Sequence, residues 1–174
     1  MGVSAVMKDA RKAVMKAVGV EPEEAERDLL DTLKSEHEEV QALLEDLQNA
    51  DTAPQRKALV QEIKQALVPH TKAEEKVLYA AIIALRDKNA QVDGLEGKIE
   101  HDLAARTLQK LAAIPNAKSA EHKAAAKVLK ELVEHHIQEE ERNVWGDARK
   151  HFSERARIGM NRRYMAAKAR IKVA

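Results

Sequence analysis

The feature that most constrains this chain is a short pattern that occurs twice. It reads His-x-x-x-Glu-Glu, then two further residues, then an aliphatic and an aromatic residue, and it occupies 70–79 and 136–145. A helix advances about 100° per residue, so a histidine and a glutamate four residues apart share one face, separated by about 6 Å of rise. Such a face is suited to binding a metal ion, and two such faces in one small protein indicate a shared site.

The composition favours helices as the framework for that site. Hydrophobic residues make up 44% and charged residues 34%, whereas there are only six glycines and four prolines among 174 residues. A β fold would need more turn residues, so an all-α single domain is predicted. The chain has no cysteine, which excludes disulfides, cysteine-ligated zinc and iron–sulfur clusters. Any metal must therefore be held by imidazole and carboxylate.

Charge and hydropathy narrow the other classes of function. The formal net charge of +1 favours no particular partner. No apolar run approaches the roughly 20 residues that a membrane-spanning helix needs, and no cleavable signal peptide is evident. The expectation is a soluble cytoplasmic protein.

The apolar residues repeat at spacings of three and four over four long stretches. These predict helices at about 22–49, 54–88, 95–113 and 119–152, with breaks at 49–54, at Asp93-Gly94 and at Pro115. Pro69 lies inside the second of them, so a kink is expected just before His70. Short links between four helices predict an up-down-up-down four-helix bundle over residues 21–152.

Two further segments flank the predicted bundle. Residues 1–20 read as a short basic amphipathic helix, for which docking on its own domain is favoured over binding to a membrane surface. The tail, 153–174, carries seven Arg and Lys residues against one acid, Glu154. A solvated helix with a frayed end is favoured there over binding to nucleic acid or acidic lipid, because Tyr164 is the tail's one stacking group.

Histidines occupy the inner seam of all four predicted helices. His37 and His70 are 33 residues apart, and His101 and His136 are 35 apart, so each half of the chain is a helix with a seam histidine followed by a helix with His-x-x-x-Glu. Burying Glu74 and Glu140 in an aliphatic core would cost several kcal/mol each without compensating charge or hydrogen bonds. A metal site built from these six residues is the economical interpretation.

The number and type of ligands indicate which metal. Six nitrogen and oxygen ligands are too many for one tetrahedral zinc, and they include too much imidazole for magnesium or calcium. Two non-haem iron ions fit the count, each with two histidines and both bridged by Glu74 and Glu140. Manganese or zinc could substitute on the same ligands.

These residues carry a family resemblance. His37, His70-x-x-x-Glu74, Glu100-His101 and His136-x-x-x-Glu140 together resemble the hemerythrin-like HHE cation-binding family over about residues 28–150. The resemblance implies a four-helix bundle with a non-haem di-iron centre. By position, it implies that His37, His70, His101 and His136 are terminal ligands and that Glu74 and Glu140 bridge the two ions.

One position departs from the oxygen-carrying members of that family. They have a second histidine four residues after the third-helix ligand, where this chain has Ala105. They also have an acid one position after the last bridging glutamate, and here this chain has Glu141. Either the second iron has an open or water-filled position, or another carboxylate completes it, with Glu38, Glu75 and Glu100 as candidates. An open position suits small-molecule redox chemistry better than protected oxygen carriage.

The resemblance supports two hypotheses of function. The first is a di-iron protein that binds or turns over O2, hydrogen peroxide or nitric oxide, with peroxide consumption as the enzymatic form. The second is a protein that stores, senses or delivers iron without turnover. An interaction module that uses the basic termini is a third, with nucleic acid disfavoured as the partner. Tyr79 and Trp145 are expected to plug the ends of the core, and His122 to lie on the surface.

Overall fold

The computed structural model describes residues 26–173, and all of its regular elements are helical. The predicted N-terminal helix at 1–20 lies outside these residues. The α-helices are α1 Leu29–Asn49, α2 Ala53–Glu74, α3 Ala80–Ile83, α4 Lys88–Ala113, α5 Ala120–Glu139, α6 Trp145–His151 and α7 Glu154–Lys168. Two π-helical segments interrupt them, π1 at Glu75–Tyr79 and π2 at Glu140–Val144. The all-α prediction is confirmed for the described part of the chain.

Side-chain caps fix where the helices begin. The carboxylate of Asp28 accepts from the backbone N–H of Leu30, and the hydroxyl of Ser119 accepts from His122 N–H. Thr52 and Gln55 form a reciprocal capping box at the start of α2, so two otherwise unpaired backbone donors are satisfied. The helix α2 then continues through Pro69 to Glu74.

The third long helix begins earlier than the sequence predicts. It starts at Lys88, because Asp87 caps it by accepting from the N–H groups of Asn89 and Ala90. The expected turn at Asp93-Gly94 is therefore wrong, since both residues lie inside α4. A Cβ on Gly94 would lie 3.0 Å from Ile83 Cγ1, so this glycine permits a close approach to α3.

Two apolar clusters lie on either side of the predicted ligands. One contains Leu33, Val77, Ala90 and Val144, and the other contains Val40, Leu67, Ala104 and Val133. Along the chain, α1 and α4 pass from the first cluster to the second, whereas α2 passes from the second to the first, as does α5 together with π2, which continues it. The predicted ligands lie between these two sets of positions, as a polar layer within an aliphatic core.

The C-terminal helix α7 is part of the packed structure. It contacts α1, α2 and π1, and it buries Met160 and Tyr164 in the first apolar cluster. Arg157 forms an ion pair with Asp28 at 2.7 Å, which ties α7 to the start of α1. The expectation of a solvated helix with a frayed end is therefore wrong for Glu154–Lys168. None of the helices within residues 26–173 has the length and apolarity that a membrane crossing needs.

Candidate metal centre

The structure brings all six predicted ligands into one buried layer. Each is at most 6% exposed, and they come from α1, α2, α4, α5 and π2: His37, His70, Glu74, His101, His136 and Glu140. Groups of this polarity are seldom so deeply buried unless they are paired or hold a metal.

The inner ring nitrogens converge on the two glutamates in two groups. Glu140 Oε2 lies 3.4 Å from Nε2 of His37 and 3.4 Å from Nε2 of His136. We call His37, His136 and Glu140 the first half-site.

The second half-site is built in the same way from His70, His101 and Glu74. Glu74 Oε2 lies 3.4 Å from Nε2 of His70 and 3.5 Å from Nε2 of His101. The half-sites adjoin, since Nε2 of His101 and Nε2 of His136 are 3.0 Å apart. Donor atoms of Glu74, His101 and His136 lie within 4.8 Å of one another, close enough to share a cation.

Several of the converging atoms have no hydrogen-bond partner among the described residues. They are both carboxylate oxygens of Glu74, Oε2 of Glu140 and Nε2 of His37. Buried polar atoms of this kind are rare in native proteins, and each requires a compensating partner. Three carboxylate oxygens and an imidazole nitrogen are good ligands for a divalent transition metal, so the donor set fits one.

An outer layer of carboxylates holds the opposite edge of every imidazole. Each Nδ1–H donates to a different glutamate, at 2.9–3.1 Å: His37 to Glu141, His70 to Glu36, His101 to Glu75 and His136 to Glu100. A carboxylate only accepts, so each Nδ1 carries a proton and each Nε2 is the nitrogen available to a metal. Metal-binding histidines in proteins are commonly held in this way.

The sequence of this chain matches a known protein family. The family described as "Hemerythrin HHE cation binding domain" matches residues 28–146. The chain belongs to this family. No curated protein and no solved structure matches the chain. The predicted resemblance is confirmed, and the matched residues contain all six inner residues and all four outer glutamates of this HHE domain.

The sequence pattern identifies the inner residues of the HHE domain but not the outer layer as a set. Glu75 and Glu100, considered as further metal ligands, instead accept from histidine Nδ1 groups, while Glu38 and Ala105 are exposed. The pattern does not single out Glu36. The available signal is adjacency, since each outer glutamate directly precedes or follows an inner ligand in the sequence.

The two π-helical segments begin at the glutamates of the repeated motif. Segment π1 starts at Glu75, directly after Glu74, and π2 starts at Glu140. A π-helical turn widens the helix by one residue and is frequently found at functional sites. Here each motif supplies one glutamate to the inner layer and the next to the outer layer, so both carboxylates face imidazoles.

The aromatic residues of the two motifs contact the inner layer. The indole N–H of Trp145 donates to Glu140 Oε1 at 3.2 Å, and its ring stacks on His37 at 5.6 Å between centroids. The ring of Tyr79 lies 5.3 Å from that of His101, and its hydroxyl has no hydrogen-bond partner among the described residues. Both rings are buried in the first apolar cluster, and each lies against a histidine of the inner layer.

The half-sites differ in charge. Burial raises the pKa of Glu74 well above its usual range, and the neighbouring Glu140 charge adds to this. Burial also acts to raise the pKa of Glu140, but the adjacent imidazoles of His136 and His37, each 3.4 Å from its Oε2, outweigh burial and hold that pKa well below its usual range. Burial lowers the pKa of His70 to about 4. Burial acts to lower the pKa of His136, but its hydrogen bond to Glu100 and the adjacent carboxylate of Glu140 outweigh burial and raise the pKa to about 9.

A small cavity borders the imidazoles on the side of the second apolar cluster. Its lining consists of the four histidines, Thr71 and the apolar side chains of Val40, Leu67, Ala104, Val133 and Ile137. Its volume is ≈ 10 Å³, which is space for about one molecule the size of water. The cavity can therefore admit a very small molecule and excludes organic substrates.

The C-terminal helix reaches the outer layer, which the sequence does not indicate. The hydroxyl of Tyr164 donates to Glu36 Oε2 at 2.6 Å and lies 3.1 Å from His70 Nδ1. The ammonium of Lys168 lies 2.7 Å from the same carboxylate oxygen. The sequence offers Tyr164 only as a stacking group within the tail, because nothing local to residues 153–174 shows where the helix docks.

One other histidine is placed differently from the expectation. His122 is 2% exposed, so its predicted surface position is wrong. It lines a separate cavity with Lys57, Gln61 and Leu111, on the side of the second apolar cluster. It therefore takes no part in the candidate metal centre.

Proposed function

We propose that the chain binds two non-haem iron ions through His37, His70, Glu74, His101, His136 and Glu140. The observation that carries the proposal is the set of buried carboxylate and imidazole atoms that converge without hydrogen-bond partners among the described residues. Each half-site supplies two imidazoles and one carboxylate, and Glu74 and Glu140 are close enough to interact with each other. This supports bridging glutamates.

The donor set favours iron over hard cations. Calcium and magnesium take oxygen ligands, and four imidazoles suit iron, manganese or zinc. Manganese and zinc are therefore the substitutes expected on the same residues. The alternation of the long helices between the two apolar clusters supports an up-down-up-down arrangement, which places all four histidines at one level.

We further propose that the centre binds or reacts with O2, hydrogen peroxide or nitric oxide. An iron pair, when bound, supplies the electrons and the open coordination that such molecules require. The protein's own contribution is selection by size, since the cavity beside the imidazoles has space for about one water-sized molecule. Its apolar wall excludes bulk water, and the outer carboxylates fix the orientation of each imidazole.

Anaerobic loading with ferrous iron tests both parts of this proposal. About two irons per chain are expected in the parent, and a His70→Ala/Glu140→Ala double variant, which loses one ligand from each half-site, is expected to lose most of them. The loaded parent is then exposed to O2, peroxide or nitric oxide while absorption and reactant consumption are followed. A parent that binds no iron would refute the site, whereas two inert irons would refute only the reactivity.

Iron sensing or storage is the second candidate function. The observation in its favour is that the buried carboxylates depend on a cation for their compensation, so folding should be coupled to metal. The melting temperature and protease resistance of metal-free and iron-loaded protein measure that coupling. Equal values in the two forms would exclude sensing through folding.

A further inference from the structure

The four outer glutamates are not equivalent. Glu75 and Glu141 each hold one imidazole and are about one-third exposed at the side chain, at 33% and 34%. Glu100 holds His136 and also lies 3.4 Å from His135, whose side chain is mostly exposed. Solvent therefore reaches the carboxylates of Glu75 and Glu141 and the second partner of Glu100.

Glu36 is held from three directions. Its Oε2 atom accepts from His70 at 3.0 Å and from Tyr164 at 2.6 Å, and lies 2.7 Å from the Lys168 ammonium. Tyr164 and Lys168 both belong to α7, so Glu36 links the outer layer to that helix. Tyr164 is fully buried, so its ring cannot swing away without leaving the apolar cluster.

We propose that Tyr164 is a positioning residue for the second half-site, holding Glu36 and through it the imidazole of His70. A glutamate has three rotatable side-chain bonds, and fixing it in advance removes the entropy that metal binding would otherwise have to overcome. The half-site of His70, His101 and Glu74 is then the tighter of the two iron positions. The inference rests on the proposed two-iron function and deepens it by making the positions unequal.

The proximity of the tyrosine hydroxyl to His70 strengthens this assignment. Because the hydroxyl lies 3.1 Å from Nδ1 as well as 2.6 Å from the carboxylate, the three groups form a closed contact. Rotation of the imidazole would break contacts with both partners. At the outer edge of His37, the hydrogen-bond partner of Nδ1 is Glu141, which is about one-third exposed, and Trp145 restrains the face of that ring rather than its edge.

The test is anaerobic titration of the full chain with ⁵⁷Fe(II), read by binding isotherms and by Mössbauer spectroscopy. The parent is expected to bind two ions in two resolved steps and to show two quadrupole doublets. Tyr164→Phe keeps the ring and removes the hydroxyl. It should weaken the tighter step about tenfold or more and shift the doublet that fills first, leaving the other step unchanged.

Two further variants separate positioning from a general loss of packing. Lys168→Met removes a half-buried contact to the same carboxylate, so it should perturb the same doublet. Arg157→Met removes a different ion pair between α7 and the bundle, with Asp28, and should lower the melting temperature without selecting either doublet. These readouts do not depend on activity.

The outcomes are distinguishable. A parent that binds no iron would overturn the proposed function and this inference together. The inference alone would be overturned if the parent bound its two ions with equal affinity. It would also be overturned if Tyr164→Phe weakened both binding steps equally or neither of them. If Tyr164→Phe is too unstable to be loaded with iron, Lys168→Met provides the test. An effect of Lys168→Met on the doublet that fills later would refute the assignment.

Discussion

Replacing Gly97 with alanine tests whether the approach of α4 to π1 is as close as the structure shows. A Cβ on Gly97 would lie 2.5 Å from the hydroxyl oxygen of Tyr79 and 2.7 Å from its Cζ. Real Cβ contacts are essentially never under 3.0 Å, so something must move. The ring is fully buried and lies against His101, which leaves it little freedom.

The expected cost follows from two opposing effects. Overpacking a well-filled core costs about 1–3 kcal/mol, and replacing a helical glycine with alanine returns about 1 kcal/mol. The net expectation is a destabilisation of up to about 2 kcal/mol, or a fall in melting temperature of several degrees. Because the Tyr79 ring contacts His101, moving it should disturb that imidazole and lower the affinity for iron as well.

Gly146→Ala is the matched control. Gly146 is exposed in α6, and a Cβ added to it would meet nothing within 4 Å, so the variant should be stabilised by about 0.5–1 kcal/mol. Urea unfolding of the metal-free proteins measures both changes. Opposite signs for the two variants would support the structure, whereas stabilisation by Gly97→Ala would show that α4 does not approach Tyr79 this closely.

Two further predictions concern the outer layer. Glu141→Gln weakens the acceptor that orients His37, so the affinity for iron should fall about 10–100-fold. Glu38→Gln changes an exposed neighbour and should leave the affinity unchanged. Similar effects of the two variants would contradict the role of Glu141. Burial lowers the pKa of His136, but its hydrogen bond to Glu100 contributes to raising that pKa to about 9, so metal must displace a proton at neutral pH. The affinity for iron should therefore fall as the pH drops below about 9. Calorimetry in buffers of different ionisation enthalpy should detect protons released on iron binding at pH 7. If no protons are released, this prediction is wrong.

The four histidines illustrate how much of the site the sequence makes predictable. The spacing of His70 to Glu74, and of His136 to Glu140, follows from the helical period, which is local and independent of the rest of the fold. The six inner residues are therefore identifiable from the sequence, and the structure brings them together. Their role as iron ligands stays a prediction.

Two expectations are wrong because the local sequence is compatible with more than one structure. Asp93-Gly94 is a common turn sequence, yet the glycine here allows α4 to pack closely on α3. His122 follows a helix start and looks exposed on the pattern, but it is buried beside the second apolar cluster. In both positions tertiary packing overrides the local preference.

The sequence by itself determined the helical class, the nitrogen and oxygen chemistry of the site and the family, because these depend on composition and on short-range periodicity. Only the tertiary structure decided which glutamate holds which histidine. Glu141 reaches His37 across 104 residues, and Tyr164 reaches Glu36 across 128. Contacts of that range depend on how whole helices pack, since a helix's own pattern specifies a buried face but not the neighbour that covers it.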